Sequence, residues 1–374
     1  MLAGTLLSSR SCLSNQDRRL CLAVVGCGRA AVHYAETLQS YPHLQLTAAY
    51  DLVPERAQAF AARFGGRTCD SLDDLLADDS IEVVVNLTDP ASHHYVTAQS
   101  LAAGKHVFLA KPVAVDVWGC KSILASGEQA KGRVSFLVDF QFRAAPVARE
   151  CVARVHRGDI GVPVVAHVYY HTGRLRPKSL PGDTPESARL RNWVFDKALS
   201  GDIIVEQNIH ALDCGCWFLN TRPEKAWGTG GRKVRVDVGD CWDHFAVTYS
   251  FPGGVIADFS STQCIKGYND ICARIYGSEG TAEAHYGGAV RITGDKPFEG
   301  TEKANIGRDG VYANIRTFAE RVKSGQHVNN AAESVGSNLT AILGRMAAYQ
   351  NRTVTWDEMM RSDEKLDLRL PRVA

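Results

Sequence analysis

No stretch of this sequence stays apolar long enough to cross a bilayer. The longest runs, such as Leu20 to Val25 and Val83 to Leu87, fall far short of the roughly 20 residues a spanning helix needs, so no membrane partner is expected. A surplus of one charge is also missing: 42 Lys and Arg face 41 Asp and Glu, a formal net charge of +1. Without a basic run or stripe to release phosphate counterions, nucleic acid is not an expected partner. The eleven cysteines form no pairing scheme, being odd in number and in several cases (Cys21, Cys27, Cys272) set inside strand-like apolar runs. That pattern fits buried thiols in a reduced, cytoplasmic compartment better than a disulfide framework. Cys214 and Cys216 stand two residues apart and would point different ways on a helix, and no second cluster completes a zinc site, so no metal is expected. An internal repeat and a low-complexity linker are lacking as well.

What is present is an ordinary globular composition, 45% hydrophobic and 22% charged. The 374 residues exceed the roughly 250 to 300 at which one core stops growing, so two domains are expected. Residues 1–18, rich in Ser and Leu with no acid before Asp17, read as a flexible N-terminus; the apolar part is short and the start lacks the basic region of a signal sequence. From Leu20 to Arg143 short apolar runs alternate with helix-length amphipathic segments. Strands are predicted at Leu20–Val25, Leu46–Tyr50, Val83–Leu87, His106–Leu109 and Val134–Val138, with helices at 30–40, 54–64, 71–77, 93–103 and 115–130. Repeated β-α units imply an α/β fold, a doubly wound parallel sheet of Rossmann type over residues 19–143. Pro54 suits a first helical turn, and Ser71 reads as an N-cap.

Past Arg143 the rhythm changes. A helix at 146–156 leads into strand-like stretches at 162–170, 225–236, 244–251, 255–262 and 270–276, with Pro252 to Gly254 as a hairpin turn. Helices are predicted at 202–218, 312–324 and 332–350, the last with Leu339, Ile342, Leu343 and Met346 on one face. Residues 144–374 are therefore expected to form an α+β substrate-binding domain on an open, mainly antiparallel sheet. Cys241, Phe245, Val247, Val255, Ile256, Phe259 and Ile275 look too apolar for a solvent-facing sheet, so the open face is expected to build a homodimer or homotetramer.

The first strand runs into Gly26-Cys27-Gly28-Arg29-Ala30-Ala31, a G-x-G-x-x-A between a strand and a helix. Gly26 permits the tight turn, Gly28 lets backbone approach a pyrophosphate, and Ala31 allows close helix packing, with the phosphate at the helix N-terminus. Asp51 ends the next strand, about 25 residues after the first glycine, where its carboxylate would bind the adenosine ribose hydroxyls and repel a 2′-phosphate. NAD is the expected cofactor. A glycine turn with no ligand, followed by a helix-start acid, is the plain alternative.

These residues, together with Arg56, the stretch from Asn86 through Thr88 to Pro90 followed by His94, Gly104 to Pro112, and Gly201 to Asp213, resemble the Gfo/Idh/MocA oxidoreductases. The resemblance extends over about residues 20–360. It implies that Arg29, Ala30, Arg56, Thr88, His94, Lys111, Pro112 and Gln141 join the glycines and Asp51 at the cofactor, and that the substrate is a small carbohydrate. Two positions depart from the pattern: Ala110 replaces the glutamate of the family's Glu-Lys-Pro, and Asn208 stands where many members of one subgroup have histidine.

Within that frame Lys111, held extended by Pro112, would stabilise oxygen charge as hydride leaves carbon. Glu206, His210 and Asp213 fall at i, i+4 and i+7 of one expected helix and so share a face, with His210 as general base and Glu206 or Asp213 orienting the ring or binding hydroxyls. Arg143, Tyr170, Arg191, Trp193 and Asp213 are candidate substrate ligands, Arg191 and Trp193 as a polar fork with an aromatic platform. The expected activity is NAD-dependent oxidation of a secondary hydroxyl of a sugar, polyol or glycoside. The alternatives are a glycoside hydrolase that oxidises its sugar transiently, with Tyr170 as the extra base, and a non-catalytic NAD-binding regulator.

Overall fold

The computed structural model describes residues 18–368. The N-terminus expected to be flexible lies outside the described residues, apart from Arg18. Six strands, β1 (Leu20–Val25), β2 (Leu44–Tyr50), β3 (Arg67–Thr68), β4 (Val83–Asn86), β5 (His106–Ala110) and β6 (Phe136–Asp139), form a parallel sheet in the order β3-β2-β1-β4-β5-β6. Helices α1 (Arg29–Gln39), α2 (Pro54–Phe64), α3 (Leu72–Ala77), α4 (His93–Ala102) and α5 (Val117–Ala130) connect them. The central strands are buried on both faces, which is why they read as continuous apolar runs rather than as alternation. Ser71 caps α3 by accepting from the Asp74 N–H at 3.0 Å, and Pro54 opens α2.

One face of this sheet is not closed by local helices alone. The helix Ile306–Ser324 returns from far along the chain and lays Val311, Ile315, Phe318 and Val322 against Leu22, Val24, Phe108 and Leu137 beside α1.

Nine strands form the second sheet: β7 (Pro163–His171), β8 (Lys225–Gly231), β9 (His244–Ser250), β10 (Ile256–Thr262), β11 (Asp270–Gly277), β12 (Gly280–His285), β13 (Val290–Gly294), β14 (Phe298–Thr301) and β15 (Val354–Thr355). Their order is β14-β13-β12-β11-β7-β10-β9-β8-β15, antiparallel throughout except for the parallel pair β7 and β10. The last three hairpin strands and β15 escaped the sequence reading because they are short and turn-rich.

The helices Pro146–His156, Ile209–Leu219 and Ala331–Gln350 cover the inner face. Here an expectation is corrected. Cys241, Phe245, Val247, Phe259 and Ile275 are all buried beneath the chain's own helices, while Ile256, on the opposite parity, is exposed. Period-two alternation separates the two faces but does not say which one the helices choose. Among the described residues no helix is long and apolar enough to cross a membrane.

Candidate active site

β1 delivers the glycine turn to the carboxyl edge of the first sheet. Gly26 has φ +89°, and a Cβ there would lie 2.6 Å from the Thr88 nitrogen and 2.7 Å from the Leu87 carbonyl, so this backbone contact admits only glycine. Gly28 differs: nothing lies within 4 Å of a Cβ placed on it, and no side chain caps the N-terminus of α1 behind it. Open space in front of uncapped N–H groups is what a diphosphate requires. Ala31 is fully buried against the sheet, while Arg29 and Ala30 are exposed on the first turn of the helix.

Asp51 is fixed from both sides, Oδ2 accepting from the Cys27 N–H at 2.7 Å and Oδ1 from the Val53 N–H at 2.9 Å. Each oxygen keeps a lone pair for a ribose hydroxyl. Arg56 is half-buried in the first turn of α2 nearby. The residues present thus fit an unphosphorylated dinucleotide. Replacing Asp51 with Ala is expected to weaken NAD binding about 10- to 100-fold, the worth of a charged hydrogen bond, and to narrow the gap to NADP. Fluorescence titration checks this, and a wild-type protein that prefers NADP would overturn it.

After β4 the Thr88 hydroxyl donates to Asn86 Oδ1 at 2.8 Å. The histidine that ties this loop to the next strand end is His93. Its Nδ1 lies 2.7 Å from the Pro112 carbonyl oxygen and its Nε2 3.2 Å from that of Thr88. Burial lowers its pKa to about 4, so the neutral ring has one N–H to give, and the shorter contact marks where it goes. His94, expected at the cofactor, turns the other way, edge-on to Trp118 with ring centroids 4.8 Å apart. Two adjacent histidines on a helix face different directions, and it is His93, which the sequence reading did not single out, that ties the two strand ends together.

Lys111 follows β5 through a cis peptide bond to Pro112. Its Nζ donates to Glu206 Oε1 at 2.9 Å and to the Glu206 carbonyl oxygen at 2.6 Å. The expected single helix around Glu206 is in fact two, Ile203–Glu206 and Ile209–Leu219, broken at Gln207 and Asn208. The Gln207 side chain accepts from Gln263 Nε2 at the end of β10, and this contact lies at the break. Glu206 and His210 still meet around Lys111. Burial, followed by the Lys111 charge, holds the His210 pKa well below the ordinary imidazole value, and its buried Nδ1 has no partner among the described residues. A neutral base, an ammonium and a carboxylate therefore converge beside the cofactor corner.

The other candidates are placed less uniformly. Tyr170 is partly buried against the core, and burial with Glu206 nearby raises its hydroxyl pKa far above the ordinary value. Arg143 and Asp213, read as substrate ligands, bond each other: Arg143 Nε donates to Asp213 Oδ1 at 2.8 Å, and Nη2 donates to Ser337 Oγ at 3.2 Å. Arg191 bonds Asp183 at 2.9 Å on a neighbouring turn. Trp193 is no free platform, since it packs on Ala91, Val115 and Leu199 with Leu366 and Leu368. Gln141, expected at the cofactor, accepts a hydrogen bond from the Tyr286 hydroxyl, whose ring centroid lies 5.2 Å from that of His210. Tyr286 went unnoticed in the sequence, for nothing local marks a residue brought in from 76 positions away along the chain.

Comparison with known proteins supports the fold and the cofactor. Residues 20–138 match the model of an oxidoreductase family with an NAD-binding Rossmann fold, and residues 148–283 match the GFO/IDH/MocA C-terminal domain. An inositol 2-dehydrogenase of Acidothermus cellulolyticus is 26% identical over 267 residues, 71% of this chain and 72% of that protein. An inositol 2-dehydrogenase/D-chiro-inositol 3-dehydrogenase of Lactiplantibacillus plantarum is 26% identical over 267 residues, 70% of each. Among solved structures, an oxidoreductase domain protein of Kribbella flavida superposes with a TM-score of 0.78 at 18% identity, covering 90% of this chain and 99% of that one. GenD2 from gentamicin A biosynthesis, in complex with NAD, gives 0.75 at 23% identity, covering 90% and 96%. The glycine turn, Asp51 and the Lys111, Glu206 and His210 cluster thus sit in the two matched halves of one architecture, and the chain belongs to the Gfo/Idh/MocA family of NAD-binding oxidoreductases.

Proposed function

We propose that this protein oxidises a secondary hydroxyl of a sugar, polyol or glycoside with NAD as hydride acceptor. The observation that carries this reading is the Lys111 and Glu206 ion pair facing a neutral, buried His210 at the carboxyl edge of the first sheet. Ligands of doubly wound sheets bind at that edge. The inositol dehydrogenases among the relatives support a polyhydroxylated substrate.

NAD, when bound, supplies the hydride acceptor at nicotinamide C4. Lys111 Nζ donates to the substrate oxygen and stabilises the charge that develops there as the C–H bond breaks. His210, uncharged at neutral pH, takes the hydroxyl proton. Glu206 holds the ammonium in place between turnovers. The hydrolase reading needs a second base near the sugar, for which Tyr170 is the candidate, its hydroxyl pKa raised by burial and then by Glu206.

A panel of inositols, free sugars and aryl glycosides, followed for NADH absorbance and aglycone release, tests this function. Net NADH on a polyol or sugar is the expected result; aglycone release without NADH would favour the hydrolase, and intact NAD binding with neither product would favour the regulator. We further place the domain division near residues 143 and 144, the protein in the cytoplasm, and the contact between two or four copies on the outer sheet face. That face carries Trp227 and Ile256, each close to half exposed. Trp227→Glu should then give monomers by light scattering, and an unchanged mass would remove that face from the assembly.

A further inference from the structure

A general base must be held still, and the usual holder is a hydrogen bond to the ring nitrogen that does not react. His210 lacks one: its Nδ1 is buried without a partner among the described residues. Neither acid of its helix face fills the gap, since Glu206 binds Lys111 and Asp213 binds Arg143. What does meet the imidazole is the ring of Tyr286, centroid to centroid 5.2 Å at an interplanar angle of 56°. That separation lies in the range where tilted rings attract each other.

Tyr286 is in turn anchored by three elements. It follows directly on β12, where its N–H donates to the Ile271 carbonyl oxygen of β11 at 2.8 Å. Its own carbonyl oxygen accepts from the Ile306 N–H at 3.0 Å, at the start of the helix Ile306–Ser324. That helix passes so close that a Cβ on Gly307 would lie 2.8 Å from the tyrosine hydroxyl oxygen. The short helix Gln141–Ala144 supplies the rest: the hydroxyl donates to Gln141 Oε1, and Phe142 packs edge-on with centroids 5.5 Å apart. A ring fixed at both ends can fix a second ring laid against it.

We propose that Tyr286 is a positioning residue for His210: its anchored ring holds the imidazole in place of the missing hydrogen-bond partner and keeps water from it. The catalytic consequence rests on the dehydrogenase reading, but the cover on the ring is measurable without turnover. The titratable groups around the pair are Lys111, with Glu206 bonded to it, beside His210, and Tyr170 and Asp139 beside Tyr286. Burial raises the hydroxyl pKa of Tyr286, so replacing this residue removes no charge, and a change in the titration of His210 reads the cover alone.

The test is the pH dependence of His210 carbethoxylation by diethyl pyrocarbonate in the full-length protein, read by mass spectrometry, beside kcat, KM and NAD affinity. In Tyr286→Ala water takes the place of the ring, so the labelling midpoint and the acid limb of kcat/KM should both rise toward the ordinary imidazole value. The same variant should lose about 10- to 100-fold in kcat, up to the cost of a misplaced catalytic group, with NAD affinity unchanged. Tyr286→Phe keeps the ring and gives up only the hydroxyl, so it should restore kcat and both midpoints to near wild type. If Tyr286→Ala does not fold, Gly307→Ala decides: alanine suits a helix, its methyl displaces the ring tip and should move both midpoints, and Tyr286→Phe added to it, lacking the obstructing oxygen, should return them. A His210 midpoint unmoved in the variant that decides overturns the proposal even where kcat falls, because a purely structural role would give that result. So does a Tyr286→Phe protein as impaired as Tyr286→Ala, since the hydroxyl and not the ring would then act. Failure of the dehydrogenase reading looks different: no substrate turns over even in the wild type, while the labelling midpoints still separate.

Discussion

His210→Asn is expected to lower kcat by 10²- to 10⁴-fold, the usual loss when a positioned acid-base group is removed, while NAD affinity and the thermal midpoint stay near wild type. The ring is buried, and its Nδ1 makes no bond among the described residues, so the substitution removes chemistry without cutting a hydrogen bond at that atom, the contact with the Tyr286 ring being the only packing at stake. The pH profile carries a sharper expectation. A base must be uncharged to act, and burial together with the Lys111 charge depresses protonation of His210. The acid limb of kcat/KM should therefore fall well below pH 6.5, not at it. Lys111→Met should cost a similar factor in kcat and, by removing the neighbouring cation, move the acid limb of the residual activity upward. Near wild-type turnover in either variant on the true substrate would take that residue out of the mechanism.

Gly26→Ala and Gly28→Ala should separate folding from cofactor binding. At Gly26 an added methyl meets backbone atoms of Leu87 and Thr88 at a positive φ, so strain and overpacking combine to cost about 3 kcal/mol or more. The thermal midpoint should drop by roughly 5 °C or more, and NAD binding should be lost with it. At Gly28 the φ is −75° and the methyl meets no protein atom, so the midpoint should hold. NAD affinity should nevertheless fall at least about tenfold, since the methyl stands where the diphosphate approaches the helix N-terminus. Scanning calorimetry with NAD titration reads both; equal midpoints for the two variants would contradict the geometry at Gly26, and unchanged NAD affinity in Gly28→Ala would contradict the phosphate site.

The first sheet was legible in the sequence because its physics is local. A strand buried on both faces is an apolar run, a cap is a Ser followed by acids, and a glycine turn is two glycines at the right spacing; so β1 and α2 fall where expected, and Asp51 lies against the glycine turn. Lys111, Glu206 and His210 were nameable for a related reason, since their residue types carry chemistry and their motifs are short.

What remained hidden depends on contacts between distant segments. Helical periodicity ran unbroken from Asp202 to Phe218, and the break at Gln207 sits against Gln263, just past the end of β10. The same ignorance of partners left unseen that His93 joins two strand ends and that Arg143 and Asp213 hold each other across 70 residues. It also turned Phe245 and Phe259 outward when the helices lie over them. By itself the sequence determined which positions are buried, which are charged and which turn. Only the tertiary structure decided against what each is buried and to which charge each is bound, because periodicity records the presence of a neighbour, whereas its identity comes from where the rest of the chain packs.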